Sequence, residues 1–178
     1  FAFDTENNAE SLFEFQASQP GFDNVWLPNE FDGAIGTMSA YWGFYYSVNN
    51  HNNDNIHYIA TSKLVNIFDA ADPRKNATLD AANNAIKKYV TRDQNSNSGV
   101  GSVNNPRILR YADVLLLKAE AILQSGGSTT EAIGLINQVR TRARNMVGGG
   151  TVPANFSTTE TNKTTIMQWI MDERLREL

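Results

Sequence analysis

Trp26, Tyr41, Trp42, Phe44, Tyr45 and Tyr46 fall within one stretch that also carries Asn24, Asn29, Asp32 and Asn49. An aromatic face combines a large apolar area with a negative quadrupole. It therefore stacks on the C–H face of a pyranose ring. Carboxamide and carboxylate groups beside it can pair with the ring's hydroxyls. On this chemistry Trp26, Tyr41, Trp42, Tyr45, Tyr46, Asn24 and Asp32 are the candidate ligand-binding residues. The competing reading is that most of these rings fill a core beneath a long loop. In Tyr41-Trp42-Gly43-Phe44-Tyr45-Tyr46 not all rings can face one way.

Other chemistries find less support. His51 and His57 are the only histidines and lie in an Asn-rich stretch. A nucleophile–histidine–acid array needs a positioned base. No GxSxG turn surrounds a serine, no HExxH motif is present, and the glycine runs lack a GK[ST] partner. Asp23, Glu30, Asp32 and Asp54 could ligate calcium through oxygen, but the EF-hand spacing is missing. With no cysteine there is no thiolate metal site or thiol nucleophile. We therefore expect no catalytic, cofactor or metal site, and no enzyme. Glu173 and Glu177 stand four apart beside Arg174 and Arg176, which reads as a salt-bridged helix face. Arg140, Arg142 and Arg144 sit where cations favour the end of a helix. The three Asn-X-Ser/Thr triplets read as chance.

The chain has 178 residues, a single domain's worth, and 41% hydrophobic with 19% charged residues is a globular balance. The net charge of −4 argues against nucleic acid as a partner. No run of 18 apolar residues spans a membrane. The chain begins at Phe1 without a signal sequence and stops within a helical pattern, so it reads as a piece of a longer polypeptide. Charge is unevenly placed: residues 1–60 hold eight Asp/Glu and no Lys or Arg, whereas all fifteen bases follow. Thirteen of the eighteen aromatics also lie in residues 1–60. The reading is one partial domain over 1–178, with an acidic, aromatic, loop-rich ligand-facing part (1–60) and a helical part (61–178).

These residues need elements to position them. Residues 11–16 alternate partly and predict a short strand. Residues 20–55 show no sustained period. Residues 61–69 predict a short helix with Leu64, Val65 and Phe68 inward, ended before Pro73. Residues 84–90 predict a short strand, and 94–104 a flexible loop. Asn105-Pro106 predicts the start of a helix whose face carries Ile108, Tyr111, Ala112, Leu115, Ala119, Ile122 and Leu123, ended by Gly126-Gly127. Ser128 and Glu131 form a capping-box pattern for a second helix lined by Ala132, Ile136, Val139 and Ala143. A third helix is predicted from about Thr161 to Leu178, with Ile166, Trp169, Ile170, Met171 and Leu175 apolar. The fold class is mainly α: tetratricopeptide-like helical hairpins with long irregular loops and minor short strands.

Residues 106–121, Pro-Arg-Ile-Leu-Arg-Tyr-Ala-Asp-Val-Leu-Leu-Leu-Lys-Ala-Glu-Ala, resemble the signature helix of the SusD/RagB family. Ile136-Asn137-Gln138-Val139-Arg140-Thr141-Arg142-Ala143 is similar to the family's next helix. Residues 170–178 resemble its ERxxEL helix, and Leu64–Phe68 with Asp72-Pro73-Arg74 matches a further stretch. Asp113 stands where the family usually has Glu. The resemblance covers residues 61–178. It implies a surface glycan-binding lipoprotein of the outer membrane that hands oligosaccharide to a SusC-like TonB-dependent transporter. Membrane attachment is implied only through the lipid anchor of the parent protein. The alternatives left open are a helical transporter-docking scaffold and a peptide-binding member of the same family.

Overall fold

A computed structural model of the chain describes residues 8–14, 59–81, 84, 86, 88 and 107–178. The chain divides into two compact units, one of residues 1–60 with 78–109 and one of residues 61–77 with 110–178.

β1 (Ser11–Glu14), in the first unit, pairs in a two-stranded sheet with β2 (Arg107–Arg110), whose last residue, Arg110, belongs to the second unit. Buried Arg107 meets Glu14 at 3.5 Å. Of the strand expected at 84–90, the structure shows an antiparallel bridge between Leu79 and Ile86. Asn84 turns the chain between them at a φ of 58°, a left-handed value that Asn tolerates better than most residues.

The second unit holds the helices. α1 (Ser62–Ile67) is capped by the Thr61 hydroxyl, and Phe68 just beyond it is buried. Pro73 does not merely stop a helix, as the sequence suggested. It opens a new one, α2 (Pro73–Thr78), where its missing N–H costs nothing. The Asp72 carboxylate accepts from the Arg74 amide at 3.0 Å.

α3 (Tyr111–Gln124) starts later than the Asn105-Pro106 signal predicted. Arg107–Arg110 is strand instead, because an extended backbone carries both arginines to buried carboxylates, Glu14 and Glu177. The predicted inner face shifts accordingly: Ile108 and Tyr111 are exposed, and Leu116 joins Ala112, Ala119 and Leu123 inside. Gly126 adopts a φ of 78° past the helix end, and the Gly127 amide closes the turn on the Ile122 carbonyl at 2.8 Å.

α4 (Thr129–Arg144) follows the capping-box signal. The Ser128 hydroxyl accepts from the Glu131 amide at 3.2 Å. Ala132, Ile136, Val139 and Ala143 are all buried as expected. Ser128→Ala is expected to cost about 1 kcal/mol, read as a lower urea midpoint with an unchanged slope.

A 3₁₀ turn (Asn145–Val147) then leads into an irregular return strap, and Asn162 caps α5 (Lys163–Glu177). Ile166 and Ile170 of α5 complete the core with Leu116, Ile133 and Ile136. Met171 and Leu175, apolar in the sequence pattern, face solvent.

α3 and α4 make the antiparallel hairpin. α5 runs parallel to α4: Thr130 near the start of α4 bonds the Thr158 carbonyl just before α5, and Arg142 near its end bonds Glu177. The strap makes this possible. It runs back along α4, which holds its carbonyls in turn: Arg144 on Pro153, Arg140 on Ala154, Asn137 on Phe156. No helix among the described residues is long and apolar enough to cross a membrane.

Candidate functional site

The seven ligand-binding candidates, Trp26, Tyr41, Trp42, Tyr45, Tyr46, Asn24 and Asp32, lie outside the described residues. The same holds for His51, His57, Asp23, Glu30 and Asp54. What the structure shows is a charged frame and an open groove lined by polar residue types in the helical unit.

The frame is built on Glu173 and Glu177. They fall at i+7 and i+11 from Ile166, on the face that Ile166 and Ile170 bury. Glu173 is 0% exposed. One of its oxygens accepts from Arg74 at 2.7 Å. The other accepts from Arg140 at 2.7 Å and from Arg176 at 3.4 Å. Glu177 accepts from Arg110 at 3.0 Å and Arg142 at 2.6 Å on one oxygen, and from Arg74 at 3.3 Å on the other. Its backbone carbonyl is also held by Arg110. Arg74 is fixed further by both oxygens of Asp72. Burial pushes the Arg74 guanidinium down, but the Asp72 hydrogen bonds and the charges of Glu173, Asp72 and Glu177 outweigh it and hold the group above its ordinary value.

The face is therefore salt-bridged, as the sequence indicated, but it is an interior one. Its main partners come from α2, β2 and α4 rather than from neighbouring turns of α5. Arg174 reaches instead to Asp113 of α3, at 2.8 Å. The clue lay in the spacing: 166, 170, 173 and 177 form one stripe. Arg140 also covers the Phe156 ring, its guanidinium carbon 4.1 Å from the centroid. Trp169 stacks on that ring at 4.2 Å and 3°. Two groups this close over one ring must occupy opposite faces.

Glu173 has both oxygens committed to arginines, so the frame suits positioning rather than proton transfer. Among the described residues no group of three His, Cys, Asp or Glu could hold a metal ion. Beside the strap, an open groove of about 470 Å³ runs along α4, lined by Gly134, Gln138, Thr141, Arg142, Asn145 and Asn155 among others. Sequence reading singled out neither feature as a site, because buried arginines and exposed amides give no periodic signal.

Residues 37–178 match the SusD family. The chain is 44% identical over 72 residues to SusD-like protein P38 of Formosa agariphila, covering 40% of this chain and 14% of that protein. It is 33% identical over 100 residues to SusD-like protein P2 of the same organism, covering 55% of this chain and 19% of that protein. The matched stretches thus span less than one fifth of these relatives. Among solved structures it superposes on surface glycan-binding protein A from Bacteroides uniformis, with a TM-score of 0.53 and 26% identity over 76% of this chain and 32% of that chain. The helical blocks at 64–74, 106–121, 136–143 and 170–178 all lie inside the matched range, and the chain belongs to the SusD family.

Proposed function

We propose that this chain is part of a surface protein that binds a neutral glycan without altering it and passes it to a SusC-like TonB-dependent transporter in the outer membrane. The parent protein would be held there by a lipid anchor. The observation that carries this reading is the family match over 37–178, taken with the likeness to a surface glycan-binding protein. Tyr41, Trp42, Tyr45 and Tyr46 lie inside the matched range, and Trp26, Asn24 and Asp32 precede it. In the proposed site the rings supply stacking surface, and Asn24 and Asp32 take hydroxyls. The eight acids and absent bases of residues 1–60 disfavour polyanionic sugars.

Tryptophan fluorescence titrated with neutral oligosaccharides tests the reading. A saturable, sugar-specific change is expected. A flat titration by a chain with a helical circular-dichroism spectrum would overturn it. Trp42→Ala is expected to weaken binding by about 2 kcal/mol, roughly 30-fold, as for a buried aromatic anchor. Unchanged affinity, measured calorimetrically, in both Trp26→Ala and Trp42→Ala would remove these residues from the site.

A further inference from the structure

We infer that the groove along α4 is a second seat for a neutral, hydroxyl-rich ligand, a short stretch of glycan chain; this rests on the glycan-binding reading above. Its floor is Gly134, in the interior of a sixteen-residue helix. A Cβ placed there would meet nothing within 4 Å. Glycine here sacrifices helix stability relative to alanine, and no close contact among the described residues requires it. What it provides is bare backbone over which a ligand can lie.

The walls carry unused hydrogen-bonding capacity. The side-chain amides of Gln138 and Asn145 have no partner among the described residues. Asn155 is anchored through its oxygen by Arg144 at 2.7 Å, which leaves its NH₂ group to donate. Arg142 sends one nitrogen to Glu177 at 2.6 Å while its side chain stays partly exposed at the groove.

An amide offers a donor and an acceptor side by side, which suits neighbouring hydroxyls. The Arg142 charge is met by Glu177, so the groove does not select an anion. An extended peptide would need pockets for alternate side chains, and the groove is lined by amides, a hydroxyl and a guanidinium rather than by aliphatic or aromatic side chains. The volume of about 470 Å³ lies in the range of small-molecule sites. With no aromatic ring in the lining, affinity rests on hydrogen bonds and on contact with the apolar stems of these side chains, and is weak for one segment. A polymer engaging two seats gains by effective concentration.

The test follows side-chain NH₂ resonances of the ¹⁵N-labelled 178-residue chain during titration with maltoheptaose, cellohexaose and laminarihexaose. Three further samples are run: Trp26→Ala/Trp42→Ala, Gly134→Leu, and wild type with trialanine. Saturable shifts of Gln138 and Asn145 with one sugar are expected, and they persist in the double tryptophan variant. Gly134→Leu fills open space and keeps its circular-dichroism spectrum, while the groove affinity falls at least about tenfold. Sugar-dependent tryptophan fluorescence with silent groove resonances overturns this inference and leaves the proposed function standing. Silence in both overturns both. Groove shifts with trialanine and with no sugar overturn the glycan assignment in favour of a peptide seat.

Discussion

Glu173→Ala is expected to destabilise the helical unit by about 3–5 kcal/mol, because it removes the shared partner of two buried cations. Arg74 and Arg140 each end on Glu173 at 2.7 Å, and Arg74 has almost no access to solvent. Without the carboxylate, among the described residues Arg140 keeps only the Ala154 carbonyl as a hydrogen-bond partner, and Arg74 keeps Asp72 and Glu177. Glu173→Gln keeps the shape and removes the charge. It is expected to fall in the same range, which separates charge from volume. The control is Glu131→Ala, whose partner Lys118 is 58% exposed at 3.4 Å; about 0–1 kcal/mol is expected there. Urea unfolding followed by circular dichroism reads all three. A cost below about 1 kcal/mol for Glu173→Ala would mean the cluster is hydrated and contributes little. Raising the pH should not unlock Arg74. A cation whose folded-state value is raised contributes fully below its unfolded value and is lost only as pH climbs through the folded one, which lies above any working pH.

Ile136→Ala is expected to cost about 2–5 kcal/mol. Ile136 is 0% exposed at the centre of a cluster that draws Leu116 and Ala119 from α3 and Ile166 and Ile170 from α5. Truncation removes three methyl or methylene carbons from a site walled by three helices, which leaves little freedom to collapse. Leu117→Ala, at a position 44% exposed on α3, should stay within about 0.5 kcal/mol. Thermal melts of the pair check the contrast. Similar small losses at both positions would mean that the three helices associate loosely, without a specifically packed core.

The hairpin was legible in the sequence because its signals agree across levels. Apolar spacing, the Gly126-Gly127 stop and the Ser128 cap agree on the turn that joins α3 to α4. The charged positions depart from their local pattern for one reason. Local spacing places arginine and glutamate on helix faces, whereas their partners lie far along the chain: Arg74 and Glu173 are 99 residues apart. Likewise, the pairings of Arg107 with Glu14 and of Arg110 with Glu177 accompany the strand at Arg107–Arg110 and the inward position of Glu177. The strap escaped notice because its carbonyls are held by long-range side-chain bonds, which follow no period. The aromatic candidates were legible as chemistry only: residue types name a stacking surface, but a stretch without periodicity does not say which rings turn toward a ligand.

Arg74 and Arg110 both terminate on Glu177. The polypeptide between them departs from one carboxylate and comes back to it, as a ribbon does when both ends are pinned under the same tack. The entropy of closing such a span grows only with the logarithm of its length, so doubling it adds about 0.6 kcal/mol. Lengthening or replacing this span is therefore nearly free for the frame. A longer span would leave the same buried pin holding its ends.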